Sequence, residues 1–314
     1  MCYARKRVPD YGSPMKLRLL SWNVRGANDS FKRKVIKAMI RSQRVDLFCI
    51  QETKIQSMLE GVVRSLGSGR FLDWGAMGAH GSTGGILAYW DKRTLEVLEM
   101  EVGHFSISCR LGNVEDGLVW IFTGVYGPFS KEEREILWEE LGAIRGIWDD
   151  PWCLRGDFNV TLSQRERSNQ GRLIGAMRRF AQVVDELKLL DLPLQGGVFS
   201  WSGGRNNQSW ARLDRFLVTQ NWLDHFSGVV QCRLPRPTSD HFPILLKGDG
   251  LRRGPSPFRF ENMWLKVDGV EERMRRKLAL WKRQYMSKGG RITLIKSTLA
   301  NILIYQLPSF ECPS

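Results

Sequence analysis

Six short motifs in the chain bring together the residue types that hydrolysis of a phosphoester needs: Trp22-Asn23-Val24-Arg25-Gly26, Gln51-Glu52-Thr53, Val125-Tyr126-Gly127-Pro128, Gly156-Asp157-Phe158-Asn159, Arg212-Leu213-Asp214-Arg215 and Ser239-Asp240-His241. A hard cation that neutralises phosphate oxygens requires carboxylate ligands, and Glu52 is a candidate. A base that orients or deprotonates water suits Asp157, an imidazole that pairs with the phosphate suits His241, and Asp214 would hold that imidazole. Asn23, Asn159 and Tyr126 add donors that fix phosphate and carboxylate positions without adding negative charge. Each residue taken singly also has a plainer account. A Glu after a strand is commonly a surface residue, neighbouring Asp and His occur by chance, and Tyr before Gly-Pro is an ordinary strand-end turn.

The elements that would position these residues are short apolar runs alternating with helical or loop segments. Strands are expected at Leu17–Trp22, Asp46–Ile50, Gly85–Tyr89, Phe105–Leu111, Leu118–Tyr126, Trp152–Arg155, Val198–Trp201, Arg212–Val218 and Ile244–Leu246. Helices are expected at Phe31–Ser42, at Lys131–Ile147 with acidic residues early, and at Gly175–Leu189. Most of the chemical motifs therefore fall at strand ends, where a sheet-based fold presents side chains to a cleft. Many strands with interspersed helices indicate an α/β sandwich and argue against a simple parallel barrel.

Lys plus Arg outnumber Asp plus Glu 47 to 33, a formal charge of +14 over 314 residues, which favours a polyanionic partner. Spread over solvated helix faces, the same charge would need no such partner. The six cysteines (Cys2, Cys49, Cys109, Cys153, Cys232, Cys312) show no C-x-x-C pair and no zinc spacing, and read as reduced thiols of an intracellular protein. No apolar run is long enough to span a bilayer, and the N-terminus is too charged for a secretory signal. Arg5-Lys6-Arg7 fits nuclear import or a loose basic arm over residues 1–15. The pattern breaks at Lys247 to Pro257, where Gly, Pro and charge replace apolar periodicity. This predicts a domain over 16–247, a linker over 248–268 and a helical tail over 269–314.

In order and wording the six motifs resemble the endonuclease/exonuclease/phosphatase superfamily from Lys16 to about Lys247, and most closely the endonuclease domain of plant LINE-type retrotransposons. The resemblance implies a four-layer α/β sandwich, two packed sheets flanked by helices, of the deoxyribonuclease kind. It implies Glu52 as the magnesium ligand with Asn23 and Asp240 beside it, and Mn2+ as a substitute ion. It implies Tyr126 as the phosphate contact, Asp157 and Asn159 as the pair that activates and orients water, and Asp214 as the partner of His241. Arg25 departs from the pattern: abasic-site endonucleases carry an aspartate there, so the second carboxylate ligand is unassigned and a repair role is weakened.

Phe199-Ser200-Trp201 and Trp210 stand where nucleases of this kind approach the DNA groove, although Phe199 and Trp201 on one strand face could equally be core. Arg212 belongs to the same DNA-facing set, and Gly203-Gly204-Arg205-Asn206-Asn207 reads as a phosphate-seeking loop or as a plain hairpin turn. Gly84-Gly85-Ile86 looks like the start of a family strand or, equally, a turn. His80, His104 and His225 have no motif around them. Ile147-Trp148-Asp149-Asp150 lacks the surroundings of a polymerase aspartate pair and reads as a loop. The tail, from Phe258-Arg259-Phe260 to Lys296-Ser297, resembles pieces that flank the reverse transcriptase of plant LINE elements, with the polymerase itself missing. The expectation is a monomeric, magnesium-dependent endonuclease that nicks DNA in the nucleus or cytoplasm. Its rivals are a phosphatase of the same fold and an inactive remnant that only binds nucleic acid.

Overall fold

The computed structural model describes residues 17–248 apart from 68, 70, 81–82, 169–174, 204–208 and 227. The N-terminal arm, the linker and tail, and Arg205 with its loop lie outside the described residues.

Alternation of apolar residues along buried strands decides the layers, because successive side chains point to opposite faces. The chain opens with β1 (Arg18–Asn23), α1 (Ser30–Gln43), β2 (Leu47–Gln51), α2 (Glu60–Leu66), β3 (Leu72–His80) and β4 (Thr83–Asp91). It continues with β5 (Leu95–Val102), β6 (Ser106–Asn113), β7 (Val119–Tyr126), α3 (Lys131–Ile147), β8 (Trp152–Asp157) and α4 (Gly175–Glu186). Then come β9 (Leu189–Asp191), β10 (Leu194–Gln195), β11 (Trp201–Gly203), β12 (Ser209–Ala211), β13 (Asp214–Thr219), α5 (Gln220–His225), β14 (Val230–Arg233) and β15 (Ile244–Lys247). One mixed sheet has the order β10-β14-β15-β1-β2-β4-β3, a second has the order β5-β6-β7-β8-β13-β9, and β11 and β12 form a small hairpin.

On β1, Leu19 points to the interior between the sheets, whereas Leu20 and Trp22 point outward under α1 and α2, packing on Ile36, Ile40 and Leu66. On β7, Trp120 and Phe122 enter that same interior, whereas Ile121 and Val125 face Leu137, Trp138 and Leu141 of α3 and Phe180 of α4. The result is the expected sandwich of helices, sheet, sheet and helices. Each fully buried large apolar side chain contributes roughly 1.5–3 kcal/mol relative to exposure.

Local signals explain the helices that position the site. Asp29 caps α1 by accepting from the Lys32 N–H at 2.7 Å, and Ser130 caps α3 by accepting from the Glu133 N–H at 3.1 Å. Two short helices and several strands were not expected. In β3, Gly75, Ala76, Gly78 and Ala79 hide the strand pattern, and β5 is a largely exposed edge strand carrying three glutamates. The strand expected at Val198 begins only at Trp201, and the one expected at Arg212 begins at Asp214. Gly84 and Gly85 follow Thr83 at the start of β4, both with left-handed φ, so they stand at the strand entry as expected. Asp149 and Asp150 follow α3 in a loop, as expected. Cys49, Cys109, Cys153 and Cys232 are free thiols. Among the described residues, no helix is long and apolar enough to cross a membrane.

Candidate active site

Parallel pairing places the chemistry on one rim of the sandwich. β1 and β2 run parallel with Asn23 opposite Gln51, so the chain leaves both strands at the same end. Past the strands the two segments stay together: the N–H groups of Val24, Gly26 and Ala27 donate to the carbonyls of Gln51, Glu52 and Thr53. On the second sheet, β7 and β8 run parallel with Tyr126 opposite Asp157, and antiparallel β13 brings Asp214 opposite Asp157. β15 pairs antiparallel with β1, which returns the Ser239-Asp240-His241 segment to the rim where β1 ends.

His241 is the centre of the arrangement. Its Nδ1 lies 2.8 Å from Asp214 Oδ2 and its Nε2 lies 3.6 Å from Asp157 Oδ2. Asp157 Oδ2 also accepts from Asn23 Nδ2 at 2.8 Å, and its Oδ1 accepts from the Asn159 backbone N–H at 3.0 Å. Asn159 donates its own amide to the Gly127 carbonyl at 2.6 Å. A side chain at Gly127 could not be accommodated, because its Cβ would stand 2.5 Å from the Phe158 carbonyl oxygen. Burial by itself lowers the pKa of His241, but the carboxylates of Asp214, Asp157 and Asp240 outweigh it and raise the pKa to about 9. Burial and the neighbouring Asp214 raise Asp157 to about 6 against the pull of His241, Asn159 and Asn23. The imidazole is therefore charged at neutral pH while the adjacent carboxylate stays ionised and basic. Burial, then Glu52 and Asp157, raise the Tyr126 phenol, which keeps its proton.

Glu52 and Asp240 form the outer edge of the same cleft. The Glu52 side chain is 12% exposed, and its Oε1 lies 3.2 Å from Lys54 Nζ. The Asp240 carboxylate accepts from the exposed Arg25 guanidinium and from Trp201 Nε1, at 3.0 Å in the latter case. Burial works against the Asp240 carboxylate, yet His241, Trp201 and Arg25 hold it below the usual range. Asn23 Oδ1 accepts from the Arg25 N–H at 2.9 Å. Of the six described non-glycine residues with left-handed φ, Arg25, Glu52, Lys54 and Asn159 belong to this rim. Such conformations cost about 1–3 kcal/mol each and persist where the surroundings over-determine them. Gly85 shows how tightly the Glu52 turn is packed: its φ is +86°, and a Cβ there would meet Thr53 Oγ1 at 2.3 Å.

A hard divalent cation fits the outer edge. Glu52, Asp240 and Asn23 Oδ1 offer oxygen donors only, and cationic side chains already pair with both carboxylates. Asp157, Asp214 and His241 also have ligand atoms within 4.8 Å of one another. With Nδ1 engaged by Asp214, the His241 Nε2 either holds a proton toward the cleft or gives its lone pair to a metal, so this trio is a second candidate metal site.

Three of the residues expected to face DNA need correction or lie beyond view. Ser200 is fully buried, and its hydroxyl accepts from the Leu213 and Asp214 N–H groups at 2.9 and 2.8 Å, so it positions β13 and touches no ligand. Arg212 is spent on Asp191 at 2.8 Å and the Leu192 carbonyl at 2.7 Å. Arg205 lies outside the described residues. Trp201 and Trp210 are half-buried and line, with Arg134, Asn159 and Arg167, a cavity of about 340 Å³. Phe199 is also half-buried, with its ring 6.3 Å from that of Trp210, so these aromatics are not core. His104 and His225 are exposed.

Several contributors were not foreseen. Ser239 Oγ donates to the Asn23 carbonyl at 2.8 Å, and buried Trp22 donates to the His241 carbonyl at 3.0 Å, tying the end of β1 to the segment that leads into β15. Fully buried Arg215 grips Glu166 and Asp191, a brace beneath Asp214 whose one hint in the sequence is a charged residue alternating into an apolar strand.

A two-sheet α/β sandwich whose strand ends gather carboxylates, amides and a charged imidazole defines a hydrolase of phosphoesters. The chain belongs to the Endonuclease/Exonuclease/phosphatase family, whose model matches residues 20–241. It is 25% identical over 253 residues to the exodeoxyribonuclease of Bacillus subtilis (strain 168), covering 73% of this chain and 98% of that protein. Its fold is similar to that of AP endonuclease LMAP from Leishmania major, with a TM-score of 0.58 at 16% identity over 74% of this chain and 87% of the other. It is also similar to the endonuclease domain of TRAS1, a telomere-specific non-LTR retrotransposon, with a TM-score of 0.56 at 14% identity over 74% and 98% of the two chains.

Proposed function

We propose that the chain is a divalent-metal-dependent endonuclease that nicks DNA, of the kind carried by LINE-type retrotransposons. The observation that carries this reading is the His241 imidazole held by Asp214 at 2.8 Å and set 3.6 Å from Asp157. A phosphate oxygen facing His241 meets a positive charge, while Asp157, fixed by Asn23 and Asn159, orients a water and takes its proton. His241 then stabilises the charge that builds on the phosphate, and Tyr126 donates its retained proton as a hydrogen bond to a phosphate oxygen. A magnesium or manganese ion bound by Glu52, Asp240 and Asn23 would neutralise phosphate oxygens during attack.

Two observations support DNA over a small phosphomonoester. The chain carries a formal charge of +14. The recess lined by Trp201, Trp210, Arg134 and Arg167 adjoins Asn159 and offers aromatic and cationic groups beyond the reacting phosphate, which a phosphomonoester would not use. The retrotransposon setting rests on the motif wording and on the likeness to the TRAS1 domain. The test pits a labelled duplex oligonucleotide against a sugar phosphomonoester, each with Mg2+. Strand cleavage that vanishes in Asp157→Asn at unchanged melting temperature is expected. Phosphate release from the monoester with the duplex left intact would establish a phosphatase instead.

A further inference from the structure

A second recess adjoins the catalytic line at Tyr126. It has a volume of about 270 Å³, and its walls include Met77, Gly85, Phe105, Tyr126, Pro128 and Phe129. Tyr126, at the end of β7, thus belongs both to the catalytic rim and to this recess. Phe129 is 69% exposed, three residues after Tyr126, at a point where an unpartnered ring gains nothing from the core.

The ring's exposure is built in. Arg134, from the first turns of α3, donates to the Pro128 carbonyl at 3.2 Å and to the Phe129 carbonyl, fixing both peptides of the turn. On the other side of Phe129, the Ser130 hydroxyl donates to Glu133 Oε2 at 2.9 Å and accepts from the Glu133 N–H at 3.1 Å. The backbone on both flanks of Phe129 is therefore anchored to α3, and the ring is presented at a set height beside Tyr126. On the inner side, Gly84 carries a left-handed φ of +77°, and because a Cβ there would stand 3.8 Å from the Tyr126 ring, its absence keeps the wall beside Tyr126 open.

The geometry points to this recess as a subsite for an unstacked nucleobase of the DNA strand, on the Tyr126 side of the reacting phosphate, with Phe129 as the stacking platform. The proposal rests on the nuclease reading above and adds the side and the residue by which the strand is read. The walls are mostly apolar and aromatic, with His104 and Glu133 as their polar members, and share a residue with the cleft. Every base offers a π-face to such a wall, and a sugar or phosphate does not. Stacking of this kind tolerates any sequence but needs the base free of its neighbour, so the subsite favours sites whose duplex opens easily on that flank.

The test uses the full chain in chelator, so that binding is read without cleavage, on duplexes carrying 2-aminopurine at single positions on either flank of the nicked phosphate. The unchanged protein is expected to alter the fluorescence at one position on each flank. Phe129→Ala is expected to abolish the response on one flank alone and to weaken DNA binding about 5- to 100-fold, the scale of one base–aromatic stack. Phe129→Trp should retain both, and Trp210→Ala should affect the other flank. Because the side chain is mostly exposed, the melting temperature should not move. If the protein binds DNA but Phe129→Ala leaves fluorescence and affinity unchanged, the subsite is refuted and the nuclease reading stands. If neither form binds DNA, the nuclease reading itself fails.

Discussion

Replacing Asp214 by Asn keeps the shape of the β13 end and removes one charge, which isolates the electrostatic part of the His241 pair. In the native arrangement the His241 pKa stands near 9 against an ordinary 6.5, with Asp214 the foremost of the raising charges. The rise corresponds to about 3 kcal/mol, at about 1.4 kcal/mol per unit. Without Asp214, burial is opposed only by Asp157 and Asp240, so the pKa falls. The charged fraction at pH 8 falls with it and the ring loses its orientation, which together should lower the nicking rate by about 10²-fold. The assay is single-turnover nicking as a function of pH. The native profile should be bell-shaped, rising as Asp157 ionises near pH 6 and falling as His241 loses its proton near pH 9. In Asp214→Asn the alkaline limb should move toward acid and narrow the window. Stability follows the same sign: a raised histidine pKa contributes stability that is full below about 6.5 and is lost as pH rises through about 9. The native melting temperature should therefore fall across that interval more than the variant's. An alkaline limb that stays near pH 9 in Asp214→Asn would refute the assignment of the imidazole's charge to Asp214.

Arg155 is fully buried, none of its guanidinium nitrogens has a hydrogen-bond partner, and Asp214 Oδ1 lies 3.8 Å away. Arg155→Met removes one member of the buried Arg155–Asp214 ion pair and should therefore destabilise the fold by about 3–5 kcal/mol in urea unfolding, and an unchanged or raised stability would show that His241 alone compensates Asp214. Arg25 occupies the Asp240 carboxylate where a divalent ion would bind, so Arg25→Ala should tighten Mn2+ binding several-fold by titration calorimetry; unchanged affinity would separate Arg25 from the ion's site. β15 ends at Lys247, and the Gly248 N–H donates to the Leu17 carbonyl at 3.0 Å. A chain ending at Gly250 should fold and nick like the full chain, and precipitation of the short form alone would move the boundary.

Apolar alternation made most of the central strands and all three long helices legible. Lys131–Ile147 matches its expected ends because Ser130 and the early glutamates mark the start and the apolar spacing carries through. Edge and short strands escaped because glutamates or small residues erase the pattern, as in β5 and β3. That these candidate residues gather on one rim was legible from their place at strand ends, and β1/β2 and β7/β8 pairing accounts for why those ends meet. What sequence order could not convey was burial. Ser200 and Arg212 share the wording of a DNA-facing segment, yet the Ser200 hydroxyl serves backbone amides and the Arg212 guanidinium serves Asp191. Arg25 stood out as a residue of the wrong charge, but only the three-dimensional contact shows it paired with Asp240.

The most direct test of the central claim is the conversion of supercoiled plasmid to nicked circle under a magnesium titration, with Asp157→Asn and excess chelator as controls. The account predicts nicking that saturates with Mg2+, ceases in chelator and falls by at least about 10²-fold in Asp157→Asn, without loss of cooperative melting. Nicking that persists in chelator or in Asp157→Asn would contradict it.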